Sequence, residues 1–292
     1  MKVAFLSDGR DWAYRIAEGL SQTKNKKWEL SEIVTTPELL FPRHPIDKLG
    51  IPTKIIDPKE LPNLYSQGFF DKFDIFLFYG WSWIVPEEIV NNKVCICSHP
   101  SPLPKYRGGS PIQNQIINGE TKSMISLFQM AKGLDDGPIY TQKPISLEGH
   151  LKDVIEQIGE VGLQATIEML DGLAEGRLKP VQQNESEATV YKRRKKSESE
   201  LTGKQLTEMT SIELFNFIRA LEDPYPNAYV NLADGKLVFK VVELSKDAKG
   251  NKIKLEELKS LKKAEIQELL KAKFLLQCKD GNCIEVLQSK VD

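Results

Sequence analysis

Three histidines occur in the 292 residues, His44, His99 and His150, and His99 has the setting best suited to imidazole chemistry. It lies in CSHPSPLPKYRGGSPIQ, directly after an apolar strand, and is followed by Pro100, Pro102 and Pro104. Proline fixes φ and stiffens a loop, so this segment can hold an imidazole without help from regular structure. A second cluster, Gly133-Leu134-Asp135-Asp136-Gly137-Pro138, also follows a strand. Two adjacent carboxylates in a Gly/Pro-rich loop read equally well as a turn, and a loop histidine taken alone is more often not catalytic. Taken together the two loops read differently. An imidazole near a carboxylate, both at strand ends of a parallel sheet, is the arrangement general acid–base chemistry needs. Cys95 and Cys97 lie two apart on one strand and share a face. They read as small core residues, since the C-x2-C spacing and further ligands of a metal site are missing; no metal is expected.

The elements that must position these loops can be read from apolar runs. Val3–Leu6, Leu30–Thr35, Lys54–Ile56, Phe73–Tyr79, Val94–Cys97 and Ile125–Met130 read as strands, and Ala13–Leu20 and Lys152–Leu173 as helices. Ser110-Pro111 opens a further helix, serine as cap and proline at the first position. Strands alternating with helices imply an α/β domain with a mostly parallel, Rossmann-like sheet, whose ligands bind beyond the carboxyl ends of the strands. Gly80-Trp81-Ser82-Trp83 and Ser98-His99-Pro100 leave such ends. From Gln182 to Glu200 the composition turns polar and charged and reads as an exposed connection; the five cations Lys192–Lys196 are either a solvated linker or a contact for phosphate. Beyond it, a helix at Thr210–Leu221, strands around Asp234-Gly235, a helix over Leu255–Ala272 and a hairpin around Asp280-Gly281 make a small α+β domain. The expected division is 1–185, a linker over 186–200, and 201–292.

The bulk composition is that of a soluble globular chain: 40% apolar, 28% charged and a net charge of -1. A near-neutral chain does not read as a general nucleic-acid binder. No run approaches the ~18 apolar residues of a membrane helix, and MKVAFLSDG reads as structure from its second residue, so a cytoplasmic setting with free thiols is expected.

CSHPSPLPKYRGGSPIQNQIINGE followed by LFQMAKGLDDGPIY resembles the 10-formyltetrahydrofolate-dependent formyltransferase family. That family includes methionyl-tRNA, glycinamide ribonucleotide and sugar N-formyltransferases. The resemblance covers most of residues 1–185, and the stretch from YKRRKKSESELTG through RALEDPYPNAYV is similar to the family's C-terminal domain, which implies a small OB-like tail. By this resemblance the catalytic set is His99, Asp135 and the position of Cys97, where the family carries an asparagine that polarises the formyl oxygen. A thiol is a weaker donor than an amide. N10-formyltetrahydrofolate is the implied formyl donor, held by Trp81, Ser82, Trp83 and Ile84, by Ser101, Pro102, Leu103 and Pro104, and by Ala131, Gly133 and Leu134. Lys105–Gly109 precedes a helix N-terminus, a place that favours anions, and reads equally well as a surface loop.

The expected acceptor is a small-molecule amine on a nucleotide-linked sugar. WSWIVP and RGGSPIQN look closer to the sugar enzymes, and TTPELLFPRHPIDKLGIPTK is short and mildly basic, without the basic loop of the tRNA enzyme. Methionyl-tRNA is the alternative acceptor. A hydrolase that releases formate, or a folate- or sugar-binding relative without turnover, also stays open, as does a homo-oligomer; no membrane association is expected.

Overall fold

Burial on both faces turns the apolar runs into strands. In the computed structural model, which describes residues 1–37, 44–247 and 249–292, the chain forms two compact units. The first comprises Met1–Pro111, Lys122–Glu148 and Asp153–Lys192; the second comprises Ile112–Thr121, Gly149–Lys152 and Arg193–Asp292.

In chain order the first elements are β1 (Lys2–Ser7), α1 (Asp11–Gln22), β2 (Glu29–Thr35), β3 (Thr53–Ile55), α2 (Leu61–Ser66), β4 (Ile75–Phe78), α3 (Glu87–Asn92), β5 (Cys95–His99) and β6 (Arg107–Gly108). They continue with α4 (Pro111–Ile117), β7 (Lys122–Gln129), β8 (Ile139–Ser146), α5 (Leu151–Ala174) and β9 (Val190–Tyr191). The main sheet runs β3-β2-β1-β4-β5-β7-β8. The first five of these strands are mutually parallel, while β7 lies antiparallel to β5 and β8 antiparallel to β7. The mostly parallel α/β expectation therefore holds. Phe70, Phe76, Phe78 and Ile89 are buried in one core of this unit. Gly159 and Gly162 let α5 approach α1: a Cβ on Gly162 would stand 2.7 Å from Ile16 Cδ1.

The antiparallel sense of β7 corrects one expectation. Gln129, the last residue of β7, pairs with Ile96 near the start of β5, while Ser126 pairs with His99. The Asp135 loop thus does not leave the carboxyl end of a parallel strand. It starts level with the beginning of β5 and doubles back. Gly137 makes that return passable, since a Cβ there would lie 1.8 Å from the Gln129 carbonyl oxygen. His99 likewise belongs to the last residue of β5 rather than to the loop after it.

The second unit adds α6 (Gly203–Glu208), α7 (Ser211–Arg219), β10 (Tyr229–Asn231), β11 (Lys236–Leu244), β12 (Asn251–Lys254), α8 (Lys263–Leu269), β13 (Phe274–Gln277) and β14 (Cys283–Val291). Its five-stranded sheet is ordered β10-β11-β14-β13-β12. Leu214, Phe217, Phe239 and Phe274 lie in its core. Thr210 and Glu213 cap α7 reciprocally, side chain to backbone in both directions. The single helix expected over Leu255–Ala272 is broken. Leu255–Ser260 is a 3-10 segment, Leu261 is extended, and α8 restarts where Glu265 accepts a hydrogen bond from the Lys262 N–H at 2.8 Å.

Candidate active site

β5 delivers Cys97 and His99 to one face, because residues two apart on a strand point the same way. His99 is 6% exposed. Its Nε2 stands 2.8 Å from the Tyr106 carbonyl oxygen, an atom that can only accept, so Nε2 carries a hydrogen and donates it. Nδ1 faces Asp135 Oδ2 at 3.5 Å. The same carboxylate oxygen accepts from the Gly108 N–H at 2.8 Å. Asp135 has a positive φ of 52°, an uncommon conformation for a residue with a Cβ.

The Cys97 thiol is pushed up from its usual range first by burial and then by the Asp135 charge, with Arg10 opposing, so it stays protonated. Asp135 faces the His99 ring and Cys97 shares the β5 face of His99, so the three expected catalytic positions lie together. Cys95, on the same strand, is pushed up to about 12 by burial and is a core residue. All four cysteines are free.

The expected donor-binding positions divide into three groups. Ser82 is held in a triangle: its Oγ donates to Asp8 Oδ2 at 2.8 Å and accepts from Arg10 Nη2 at 2.7 Å, while Arg10 forks onto the fully buried Asp8. Ser101 and Leu103 are buried and shape the turn after His99, with Ser101 Oγ donating to the Lys105 carbonyl and Gln142 Nε2 donating to the Leu103 carbonyl. Pro102 and Pro104 in the same turn are half-buried. The third group is accessible. Trp81 and Trp83 pack edge to face with centroids 5.2 Å apart, Ile84 is 94% exposed and Leu134 59%, and Ala131 and Gly133 are exposed. Trp81 Nε1 is buried and has no hydrogen-bond partner among the described residues.

Other residues of the site carried no signal in the sequence. Arg107, from the stretch expected to attract anions, is 4% exposed and turned inward: it forks onto Glu185 at 2.9 and 2.6 Å and onto Gln183 Oε1 at 3.1 and 2.8 Å. The ion pair with Glu185 holds the guanidinium above its ordinary value. Thr189 Oγ1 accepts from the Tyr106 N–H, and β9 pairs with β6. Gln183, Glu185 and Thr189 belong to the polar segment read as a connection. The segment is mostly exposed, as its composition indicates, but its side chains reach back into the site. Only Arg10, three residues past β1, had a positional hint in the Ser7-Asp8-Gly9 turn. A cleft of about 480 Å³ at the amino ends of β1, β2 and β4, lined by Lys2, Lys27, Trp28, Asp71 and Asp74, lies at the opposite end of the parallel strands from His99.

The first unit is thus an α/β domain whose mostly parallel sheet presents the His99–Asp135 pair from a central strand and a returning loop. Residues 1–170 match the formyl transferase family and residues 206–291 the formyl transferase C-terminal domain, and the chain belongs to that family. It is 30% identical over 212 residues to a methionyl-tRNA formyltransferase of Lachnospira eligens, an alignment covering 71% of this chain and 64% of that protein. The chain thus spans a little under two thirds of the length of that curated relative. A methionyl-tRNA formyltransferase structure from Clostridium thermocellum superposes with a TM-score of 0.65 at 26% identity, covering 84% of this chain and 94% of the other. A 4-N formyltransferase from Francisella tularensis shares the fold, with a TM-score of 0.68 at 20% identity over 84% of this chain and 98% of the other.

Proposed function

We propose that the chain transfers a formyl group from 10-formyltetrahydrofolate to the primary amine of an acceptor. The observation that carries this reading is the state of the His99 ring. Nε2–H is committed to the Tyr106 carbonyl, so Nδ1, facing Asp135 at 3.5 Å, is the nitrogen through which a proton enters and leaves. An amine that bonds to a formyl carbon must shed a proton. His99 Nδ1 receives it, and the Asp135 carboxylate holds the imidazolium that results. Cys97, neutral and on the same strand face, is a weak donor toward a developing negative oxygen. The bond between the formyl carbon and N10 of the folate donor breaks as the tetrahedral adduct collapses, and the imidazolium gives its proton to N10, which leaves as the secondary amine of tetrahydrofolate.

The accessible residues fit such a donor. The buried Trp81 indole N–H lacks an acceptor, and Ile84 and Leu134 leave aliphatic surface uncovered. A flat heterocycle with acceptor atoms answers both needs. In this reading Trp81, Trp83, Ile84, Ala131, Gly133 and Leu134 hold the folate, while Ser82, Ser101 and Leu103 brace the loops around it.

The curated relatives favour the α-amine of methionyl-tRNA as acceptor over the nucleotide-linked amino sugar expected from WSWIVP and RGGSPIQN. The sugar remains the second reading because the connection after β2 is short and mildly basic in sequence; residues 38–43 of it lie outside the described residues. The experiment is to supply 10-formyltetrahydrofolate with initiator methionyl-tRNA or with a panel of nucleotide 4-amino sugars, and to follow formylated product and tetrahydrofolate release. Formylation of the tRNA is the expected result. Transfer to amino sugars alone would overturn the acceptor. Formate release without an acceptor, or folate binding without turnover, would overturn transfer itself.

A further inference from the structure

We infer that Gln183 is a positioning residue that sets the alignment of Asp135 with His99. Its carboxamide is saturated. Nε2 donates to the Asp135 carbonyl at 2.8 Å and to the Gly137 carbonyl at 2.7 Å, while Oε1 accepts twice from Arg107, at 3.1 and 2.8 Å. These four bonds use both hydrogens and both lone pairs of the amide, so neither glutamate nor a shorter side chain can reproduce them.

What Gln183 grips is the backbone that needs gripping. Asp135 sits at a positive φ, a conformation that persists only where the surroundings over-determine it. Its side chain is fixed by Gly108 N–H, and its main chain by Gln183. The grip extends to the other side of the imidazole. Arg107 begins β6, directly after Tyr106, whose carbonyl holds His99 Nε2 and whose N–H is held by Thr189 Oγ1. Gly108 lies so close to the neighbouring strand that a Cβ would stand 2.3 Å from the Tyr191 carbonyl oxygen. The segment 183–191 therefore braces both supports of the ring, and within it the Gln183 side chain bonds directly to the Asp135 residue. It touches no reacting atom and acts through Asp135.

This inference rests on the reading of His99 and Asp135 as the reacting pair, so its test needs one readout that does not depend on turnover. The chain's three histidines make the imidazole 15N–1H spectrum simple to assign by substitution. Gln183→Ala and Gln183→Glu are compared with wild type and with Asp135→Asn. The glutamate keeps the link to Arg107 and loses both donors to the loop, and it serves as the second variant should alanine unfold the chain. Both variants are expected to move the His99 resonances toward their Asp135→Asn positions, leaving His44 and His150 in place. In formyl transfer, kcat is expected to fall about 10- to 100-fold, as misplacement of a catalytic group by about an ångström does, with KM within about twofold. In the Asp135→Asn background Gln183→Ala should add no further loss. Wild-type His99 resonances in both variants, a glutamate that restores kcat, or a full additional loss in the Asp135→Asn background would each overturn the assignment. An inactive wild type with shifted His99 resonances would sink the transfer reading while supporting the positioning role.

Discussion

At the scale of single residues, Cys97 separates this chain from the pattern its family resemblance implies. Its side chain shares the β5 face of His99, and burial together with the Asp135 charge keeps the thiol protonated. A protonated thiol is a poor nucleophile, so Cys97 should react with iodoacetamide far more slowly than a free cysteine at pH 8. A protonated thiol is also a weak hydrogen-bond donor. Cys97→Asn is therefore expected to raise kcat by roughly tenfold, part of the ~10²–10³ that one good oxyanion donor contributes, while Cys97→Ala changes it little. Turnover and melting temperature decide the point. A large loss of stability in Cys97→Asn without a gain in its rate would mark the position as packing alone, since a buried amide without partners costs about 1–3 kcal/mol.

At the scale of elements, the site depends on a loop that turns back along an antiparallel neighbour. Gly137→Ala places a Cβ 1.8 Å from the Gln129 carbonyl oxygen and forces the loop away from β7. It should lower kcat by about 10²-fold through displacement of Asp135, while circular dichroism shows the fold retained; near-normal turnover would show that the loop tolerates the shift. The strands β1, β4 and β5 and the helices α1 and α5 were legible because each carries an apolar run or stripe. His99 and Asp135 were legible because proline- and glycine-rich loops stand out at strand ends. The direction of β7 was not, because an antiparallel strand buried on both faces has the same composition as a parallel one. β8 was missed as well: YTQKPIS alternates weakly and is only partly buried. Gln183, Glu185 and Thr189 lie in a polar segment whose role rests on long-range pairing with β6, and local sequence carries no trace of such pairing.

At the scale of the whole molecule, the second unit holds its own titrating group. His150 Nδ1 meets Glu222 at 2.7 Å and Nε2 meets Glu243 at 2.9 Å. Burial lowers the imidazole's affinity for a proton, but the hydrogen bonds to Glu243 and Glu222 outweigh it, and the group is raised from 6.5. A raised histidine stabilises the fold fully below its unfolded value and loses that contribution as pH rises through the folded one. The melting temperature should therefore decline as pH climbs from about 6.5, and His150→Gln should flatten the decline; an identical pH profile in the variant would exclude His150 as its source. No helix among the described residues is long and apolar enough to cross a membrane. In the first unit the His99 imidazole sits between the Tyr106 carbonyl at 2.8 Å and the Asp135 carboxylate at 3.5 Å. The most direct test of this pair is transfer of a labelled formyl group from 10-formyltetrahydrofolate by wild type, His99→Ala and Asp135→Ala, each verified as folded by its melting curve. Either substitution is expected to lower kcat by about 10²–10⁴-fold, the contribution of a positioned acid–base group. A folded His99→Ala variant that transfers formyl at near the wild-type rate would contradict the acid–base role of His99.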